Sequence, residues 1–385
     1  EFQKIKPGLL STVLESFERL KANADLILVE GAGSPAEVNL RPNDIANMGF
    51  AEAADIPVIL AGDIDRGGVI AQIVGTYELL SPSEQARLKG YIINKFRGDV
   101  SLFDDGLKIL TEKTGGTNFG VLPFFTQAHK LPPEDAFSIS SKTMEKCALN
   151  IAVPVLPRIA NFDDFDPLIA EPDVAVHMIK PGSPLPAGMD LIILPGSKAT
   201  LSDMAFIREE GWDIDILSHI RQGGSVIGIC GGLQMLGKKL FDPKGIEGKI
   251  TNIDGLGLLD FTTTLTGSKK LLEESGSERL TDTQISGYHM HLGICEGPAM
   301  ENPFTQLSSG PDGVLSRDRR IMGTYLHGLF ANDKFRLNTI NRFIKSKQKI
   351  ENFEQSVEAA LDDLAAHMEE HLDLDGMLEV SGYVS

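Results

Sequence analysis

The chain has 385 residues, 42% of them hydrophobic and 23% charged, with a formal net charge of −18. That length exceeds what one core ordinarily fills, so two domains are expected. The acidic excess, with no long basic run, argues against nucleic acid or an anionic membrane surface as partner.

In chain order, the first predicted element is helical, LLSTVLESFERLKAN. An α/β pattern that opens on such a segment at Glu1 reads as a piece of a longer domain. From 25 to about 125, short β-branched runs alternate with helical patterns. DLILVE ends at GAGS, PVILAGDID at RGG and GYIINKF at RGD, and GVLPF follows. Buried strands that end in Gly-rich or polar loops, with helices between, predict a parallel doubly wound sheet. Ligands of such sheets sit at the carboxyl ends of the strands. Residues 136–150 read as a linker after a first domain at 1–135. A second α/β series then runs through IAVPVLPRI, DVAVHMI, LIILPGS and SVIGIC to GTYLHGLF, giving a domain at 151–348. The last stretch, 349–385, reads as an acidic amphipathic helix.

Cysteines at 147, 230 and 295 form neither a disulfide framework nor a CxxC metal pair, as expected of a reducing cytosol. No apolar run reaches the roughly 18 residues a bilayer crossing needs. The expectation is a cytoplasmic protein with small-molecule partners, no nucleic acid and no membrane; a homo-oligomer is left open.

The sharpest local signal is GICGG at 228–232. Glycines two residues either side of Cys230 let a strand turn tightly into a helix, holding a thiol nucleophile on strained backbone. The helix N-terminus favours thiolate, and the Gly231 N–H points to a developing oxyanion. The plainer reading is a buried structural cysteine. A thiol nucleophile needs a base, and His327 in GTYLHGLF is the candidate. Gly196 and Ser197, after the strand that precedes the elbow strand, are candidates for a second oxyanion donor. In the first half, Glu30 before GAGS suits Mg²⁺ bound to nucleotide phosphates, or is a solvated turn residue. Asp63, Asp65 and Arg66 at the next strand end form either a salt-bridged loop or a site mouth. Asn94 at the third strand end has an amide able to pair with an adenine edge. No G-x-x-x-x-G-K-[ST] phosphate loop occurs.

LPGSK, G-x-C-x-G and YLHG, in that order, resemble class I (triad-type) glutamine amidotransferases. The resemblance implies a flavodoxin-type domain in which Cys230 attacks the glutamine side-chain amide with His327 as base. Most such domains carry Glu two residues after the histidine. Here that position is Leu329, so the imidazole is oriented by another group or the third member is absent. VEGAG and the later Asn94 resemble the dethiobiotin-synthetase-like branch of P-loop NTPases. That implies Glu30 as a Mg²⁺ ligand and Asn94 as an adenine contact, in a domain truncated of its phosphate loop. EGAGSPAEVNLRPNDIANMGFAEAADIPVILAGDIDRGGVIAQIVGTYELL, GYIINKFRGD, LPRIANFDDFDPL and LPGSKATLSDM together resemble the cobyric acid synthase family, from about residue 10 to about 375.

What this implies is ATP- and glutamine-dependent amidation of the b, d, e and g carboxylates of a corrinoid a,c-diamide, with ATP and Mg²⁺ required. Two departures stand out: the phosphate loop is missing, and SGYHMHLG has His289 where the family carries Glu. His291 matches the family and is a candidate site residue; the role of His289 is open. Two other readings remain: a related amidotransferase acting on another carboxylate, such as the earlier a,c-diamide step, and a non-catalytic NTPase-like scaffold.

Overall fold

The computed structural model describes residues 2–42, 44–132, 147–267, 270–344 and 352–383. The chain is α/β and divides into two compact units, Glu1–Ala128 with Ala359–Ser385, and His129–Glu358. The expected linker at 136–150 falls mostly on residues 133–146, outside the described residues.

In the first unit, α1 (Phe2–Lys21) and α2 (Met48–Ala53) precede a parallel sheet. The sheet consists of β1 (Val58–Asp63), β2 (Leu88–Phe96) and β3 (Thr117–Pro123), in that spatial order. Helices α3 (Val69–Leu79) and α4 (Pro82–Arg87) connect β1 to β2, and α5 (Asp104–Thr114) connects β2 to β3. The start of α4 follows from its sequence: Ser81 and Glu84 form a reciprocal capping box, and Pro82 supplies a preset φ in the first turn. Apolar side chains of the helices and of alternate strand positions meet in a small core of Val69, Ile73, Tyr91, Ile93, Leu110 and Val121. Two helices at the C-terminus, Phe353–His371 and Leu374–Ser381, follow, and from Ala359 onward they belong to this unit. Leu372 forms a β-bridge with Gly120, and the Asp373 N–H donates to the Phe119 carbonyl at 2.8 Å. This contact covers the open edge of β3, which would otherwise offer unpaired backbone groups.

One expectation is corrected here. DLILVE forms no strand: residues 25–30 pair with no neighbour among the described residues, and Leu28 is 87% exposed. A β-branched run becomes a strand only through a hydrogen-bonded neighbour, and the described chain supplies none.

The second unit contains β4 (Leu149–Pro154), β5 (Ile159–Ala160), β6 (Val174–Ile179), β7 (Leu191–Leu194), β8 (Gly196–Ser197) and β9 (Ser225–Ile229). Helices α6 (Asp166–Ala170), α7 (Thr200–Glu209), α8 (Trp212–Arg221) and α9 (Gly231–Met235) lie between or after them. The main sheet runs β6-β4-β7-β9 and continues through strand Ile321–Thr324, all parallel, to an antiparallel edge at Val314–Leu315. Taken by position in the chain, the parallel strands stand in the order 2-1-3-4-5, the flavodoxin-like arrangement. The strands read as continuous apolar runs because both faces are covered: every residue of β7 and β9 is buried. A second, antiparallel sheet carries the strand Gln284–His291 beside Leu326–His327, with Tyr288 opposite His327.

Candidate active site

Adjacent parallel strands deliver the site residues from their carboxyl ends. β9 ends at Cys230, β7 leads to Gly196 and Ser197, and Ile321–Thr324 leads to His327. The loop after β4 leads through β5 to Asp164.

Cys230 caps α9 with φ 51° and ψ −105°, a region a residue with a Cβ rarely occupies. Its N–H is held by the Thr324 carbonyl at 2.8 Å, tying the turn to the neighbouring strand. The flanking glycines are required by space. A Cβ on Gly228 would sit 2.5 Å from the Gly232 carbonyl oxygen, and one on Gly232 would sit 2.1 Å from the Leu194 oxygen. A Cβ on Gly231 would lie 2.9 Å from the Ser197 nitrogen, so these two backbones approach one another beside the thiol. The thiol is buried, and its sulfur lies 3.6 Å from the Met290 carbonyl.

Asp164, within LPRIANFDDFDPL, holds His327. Its Oδ2 lies 2.8 Å from His327 Nδ1, and its Oδ1 accepts from the Gly328 N–H at 2.7 Å. With Nδ1–H donating to the carboxylate, Nε2 is the nitrogen left for the thiol side. Leu329 is fully buried in the core. The imidazole is therefore oriented from the loop after β4, not from two residues beyond the histidine. Tyr288 stacks on the imidazole with centroids 5.3 Å apart. Burial pulls the His327 pKa down, but the hydrogen bond the imidazole donates to Asp164 and the interaction with the Cys230 sulfur outweigh it and raise the value to about 10. The resting imidazole is thus cationic. Two further carboxyl groups lie in this loop. Burial, then the neighbouring Asp163 and Asp164, push Asp166 up to about 7. Burial followed by Asp164 also raises Asp163. No local pattern in the sequence singles out Asp164, because its partner is 163 residues away.

Gly196 and Ser197 form β8, paired antiparallel to β5. The Ser197 hydroxyl donates to Asp203 at 2.6 Å and accepts from Ala199 N. The Ser197 backbone nitrogen is the atom nearest to where a Cβ on Gly231 would stand, at 2.9 Å. Gln234, also unassigned from sequence, is buried one helical turn beyond Cys230 and donates to the Leu292 carbonyl at 2.8 Å. His291 stacks on Tyr325 at 3.8 Å, and His289 shares that side of the strand, with Nε2 3.7 Å from Asp312. In these contacts neither meets Cys230 or His327.

In the first unit, β1 pairs Asp63 with Asn94 in register, so Asp63, Asp65, Arg66 and Asn94 gather at the carboxyl end of the sheet. Asp63 is bound to Lys95 at 2.7 Å, and Asp65 to Arg97 at 2.6 Å. Lys95 and Arg97 hold both carboxyls below the usual carboxylate range. Asn94 Oδ1 accepts from the Lys95 N–H. Glu30 is exposed on the segment that forms no strand. Among the described residues no group of three or more His, Cys, Asp or Glu could hold a metal ion. A single exposed carboxylate fits Mg²⁺ only as one ligand beside phosphate and water oxygens.

A CobB/CobQ-like glutamine amidotransferase domain model matches residues 150–335, and an AAA domain model matches residues 8–130. The chain is 52% identical over 380 residues to a cobyric acid synthase of Rhodobacter capsulatus, covering 99% of this chain and 79% of that protein. It is 50% identical over 382 residues to a cobyric acid synthase of Brucella canis, with 99% and 79% covered. Against that of Allorhizobium ampelinum it is 52% identical over 374 residues, with 97% and 77% covered. With the sheet order, the domain matches and this similarity along nearly its whole length, the chain belongs to the cobyric acid synthase family of glutamine-dependent amidoligases.

Proposed function

We propose that the chain carries out the glutamine- and ATP-dependent amidation of the b, d, e and g carboxylates of adenosylcobyrinic acid a,c-diamide, giving cobyric acid. The observation that carries the glutamine half is the contact of Asp164 Oδ2 with His327 Nδ1 at 2.8 Å, beside a cysteine at φ 51°. Cys230 is the nucleophile. As thiolate opposite the cationic imidazole, its sulfur attacks the δ-carbonyl carbon of glutamine. The carbonyl oxygen takes the negative charge, and the backbone N–H groups of Gly231 and Ser197 are the donors for it. His327 gives its proton to the departing nitrogen, so ammonia leaves and a glutamyl thioester remains. The imidazole, now neutral, takes a proton from water, whose oxygen attacks the thioester; glutamate and thiolate are restored. Asp164 is the positioning residue that keeps Nε2 toward the reacting atoms.

The AAA domain match supports ATP as the activating cosubstrate. Phosphorylation gives a carboxylate a leaving group that ammonia can displace. We propose Glu30 as a Mg²⁺ ligand, Asn94 as the base contact, and Asp63, Asp65 and Arg66 as the mouth of that site, with His291 near the thiol site. The chain has no helix among its described residues that is long and apolar enough to cross a membrane; a cytoplasmic location is proposed on its cysteine usage. The test is mass spectrometry of the corrinoid a,c-diamide incubated with the protein, MgATP and glutamine labelled with ¹⁵N in its side chain. Stepwise gain of labelled amides is expected. Glutamine hydrolysis without corrinoid amidation would assign the acceptor to another carboxylate.

A further inference from the structure

In the first unit the C-terminal chain meets β3 and the loop after it from Phe119 to Gln127. Beyond the bridge of Leu372 to Gly120, His367 Nε2 lies 3.0 Å from the Pro123 carbonyl, and its ring packs on Phe125 with centroids 5.6 Å apart. A carbonyl only accepts, so Nε2 carries the proton. Gln127 Nε2 donates to Asp363 at 2.6 Å. The close approach is built into the strand: Gly120 has φ 132°, and a Cβ there would stand 2.3 Å from the His371 carbonyl oxygen. Only glycine meets both demands.

The Pro123 carbonyl and the Phe124 N–H are the two ends of one planar peptide group. His367 grips the first end, and the Phe96 carbonyl holds the second at 2.7 Å, fastening β3 to β2. The Phe124 ring, fixed in this way, carries the Arg97 guanidinium 3.7 Å from its centroid. Arg97 Nε in turn lies 2.6 Å from Asp65. Strand β2 reaches this point under strain: Lys95 has φ 64°, and the register with β3 shifts between Ile93 and Phe96. Such strain persists where surrounding contacts over-determine it. An unbroken series of contacts thus runs from His367 through Pro123, Phe124 and Arg97 to Asp65.

We propose that His367, on the C-terminal helix Phe353–His371, is a positioning residue of the first unit's site. By gripping the Pro123–Phe124 peptide it sets the ring on which Arg97 rests, and so aims that guanidinium at an anionic group of the reactants, a phosphate or a carboxylate. The inference rests on the reading of Asp63, Asp65 and Arg66 as the mouth of that site. An exposed arginine ordinarily samples many rotamers, whereas one stacked on a ring and paired with a carboxylate is preorganised. Both MgATP and the corrinoid acceptor present anionic groups for it to meet.

Calorimetry with MgATP and with the corrinoid a,c-diamide, each titrated into the full chain and its variants, tests this. Arg97→Ala is expected to weaken at least one ligand by about 10-fold, and which one it weakens tells phosphate from carboxylate. His367→Ala should weaken the same ligand by about 3–10-fold, as an effect passed through a second residue, with glutaminase activity unchanged. His367→Gln keeps an N–H donor at similar reach and should restore binding. Once Phe124→Leu has removed the platform, adding His367→Ala should cost little more. Unchanged binding in His367→Ala, a loss that His367→Gln does not restore, or a loss that adds in full to that of Phe124→Leu would overturn the inference. Failure of the mouth reading shows elsewhere: the parent would bind neither ligand, or Arg97→Ala would bind both as the parent does, and the inference would fall with it.

Discussion

Asp63 and Lys95 in the first unit form an ion pair at 2.7 Å with side chains 33% and 46% exposed. Asp164 and His327 in the second form one at 2.8 Å with both side chains 1% exposed. The geometry is nearly the same and the physics differs. In water the first pair gains little, because high dielectric and side-chain entropy take back most of the Coulomb energy. In the core the second pair is expensive to assemble and more expensive to break, since losing one partner strands the other. A reactive centre benefits from the second setting, where a held charge acts at full strength on its neighbour. The candidate carboxylates Asp63 and Asp65 of the first unit sit at the carboxyl end of the sheet and pair with Lys95 and Arg97, while Glu30 is exposed on a segment that forms no strand. Those of the second unit are fixed by burial.

Removing the nucleophile separates the two halves most sharply. Cys230→Ala is expected to lower glutaminase activity by about 10⁴–10⁶-fold, as when one member of a cooperating catalytic set is lost. ATP-dependent amidation with added ammonium salt should survive, because ammonia then bypasses the thiol. If both activities fall together, the comparison between the halves breaks.

Asp164→Asn comes next, at about 10²–10⁴-fold in kcat with KM nearly unchanged, as for a positioning carboxylate in a triad. It also has a signature in stability. His327 is raised from 6.5 to about 10 in the folded chain. That stabilisation is fully present below 6.5 and is lost as pH rises through about 10. The deficit of Asp164→Asn in thermal melts should therefore be larger at pH 6.5 than at higher pH and shrink toward pH 10. A deficit independent of pH would mean that Asp164 serves packing alone.

Gly232→Ala should cost about 1–3 kcal/mol, because the added methyl meets the Leu194 carbonyl and the backbone must shift. Denaturant titration measures this.

Asp166 has the opposite sign from His327. Its folded value of about 7 exceeds its ordinary 3.8, so folding is increasingly penalised as pH rises from 3.8 to about 7. Asp166→Asn should melt higher than the parent at pH 8 and show a much smaller difference at pH 4.

The smallest effect belongs to the first unit. Lys95→Ala should change stability by about 0.2–1 kcal/mol, less in high salt. A cost equal to that of Gly232→Ala would remove the contrast between exposed and buried settings.

What could be read from the sequence follows the range of the interactions. The elbow is legible because its requirements are local: a strand, a thiol and glycines within five residues, with Gly228 and Gly232 each demanded by a carbonyl that a Cβ would strike. The α/β class was legible because strands covered on both faces leave unbroken apolar runs. Asp164 was not legible as the partner of His327, since nothing within a turn or strand of either residue records a contact across 163 positions. Leu329 signalled only that the usual orienting residue was elsewhere. DLILVE suggests a strand that it does not form, because composition reports what could pair, while a ladder needs a neighbour. The covering of β3 by Leu372 and Asp373 is likewise a long-range fact that an acidic amphipathic pattern does not carry.

The central claim is that Cys230, poised by His327 and Asp164, attacks glutamine. The most direct measurement is peptide mass spectrometry after treatment with an electrophilic glutamine analogue, with and without excess glutamine. We expect labelling at Cys230, protection by glutamine, and much slower labelling in Asp164→Asn. Cys295, whose thiol burial pushes up to about 11, should remain unmodified. Labelling confined to Cys147 or Cys295, or labelling of Cys230 that glutamine does not slow, would contradict the account.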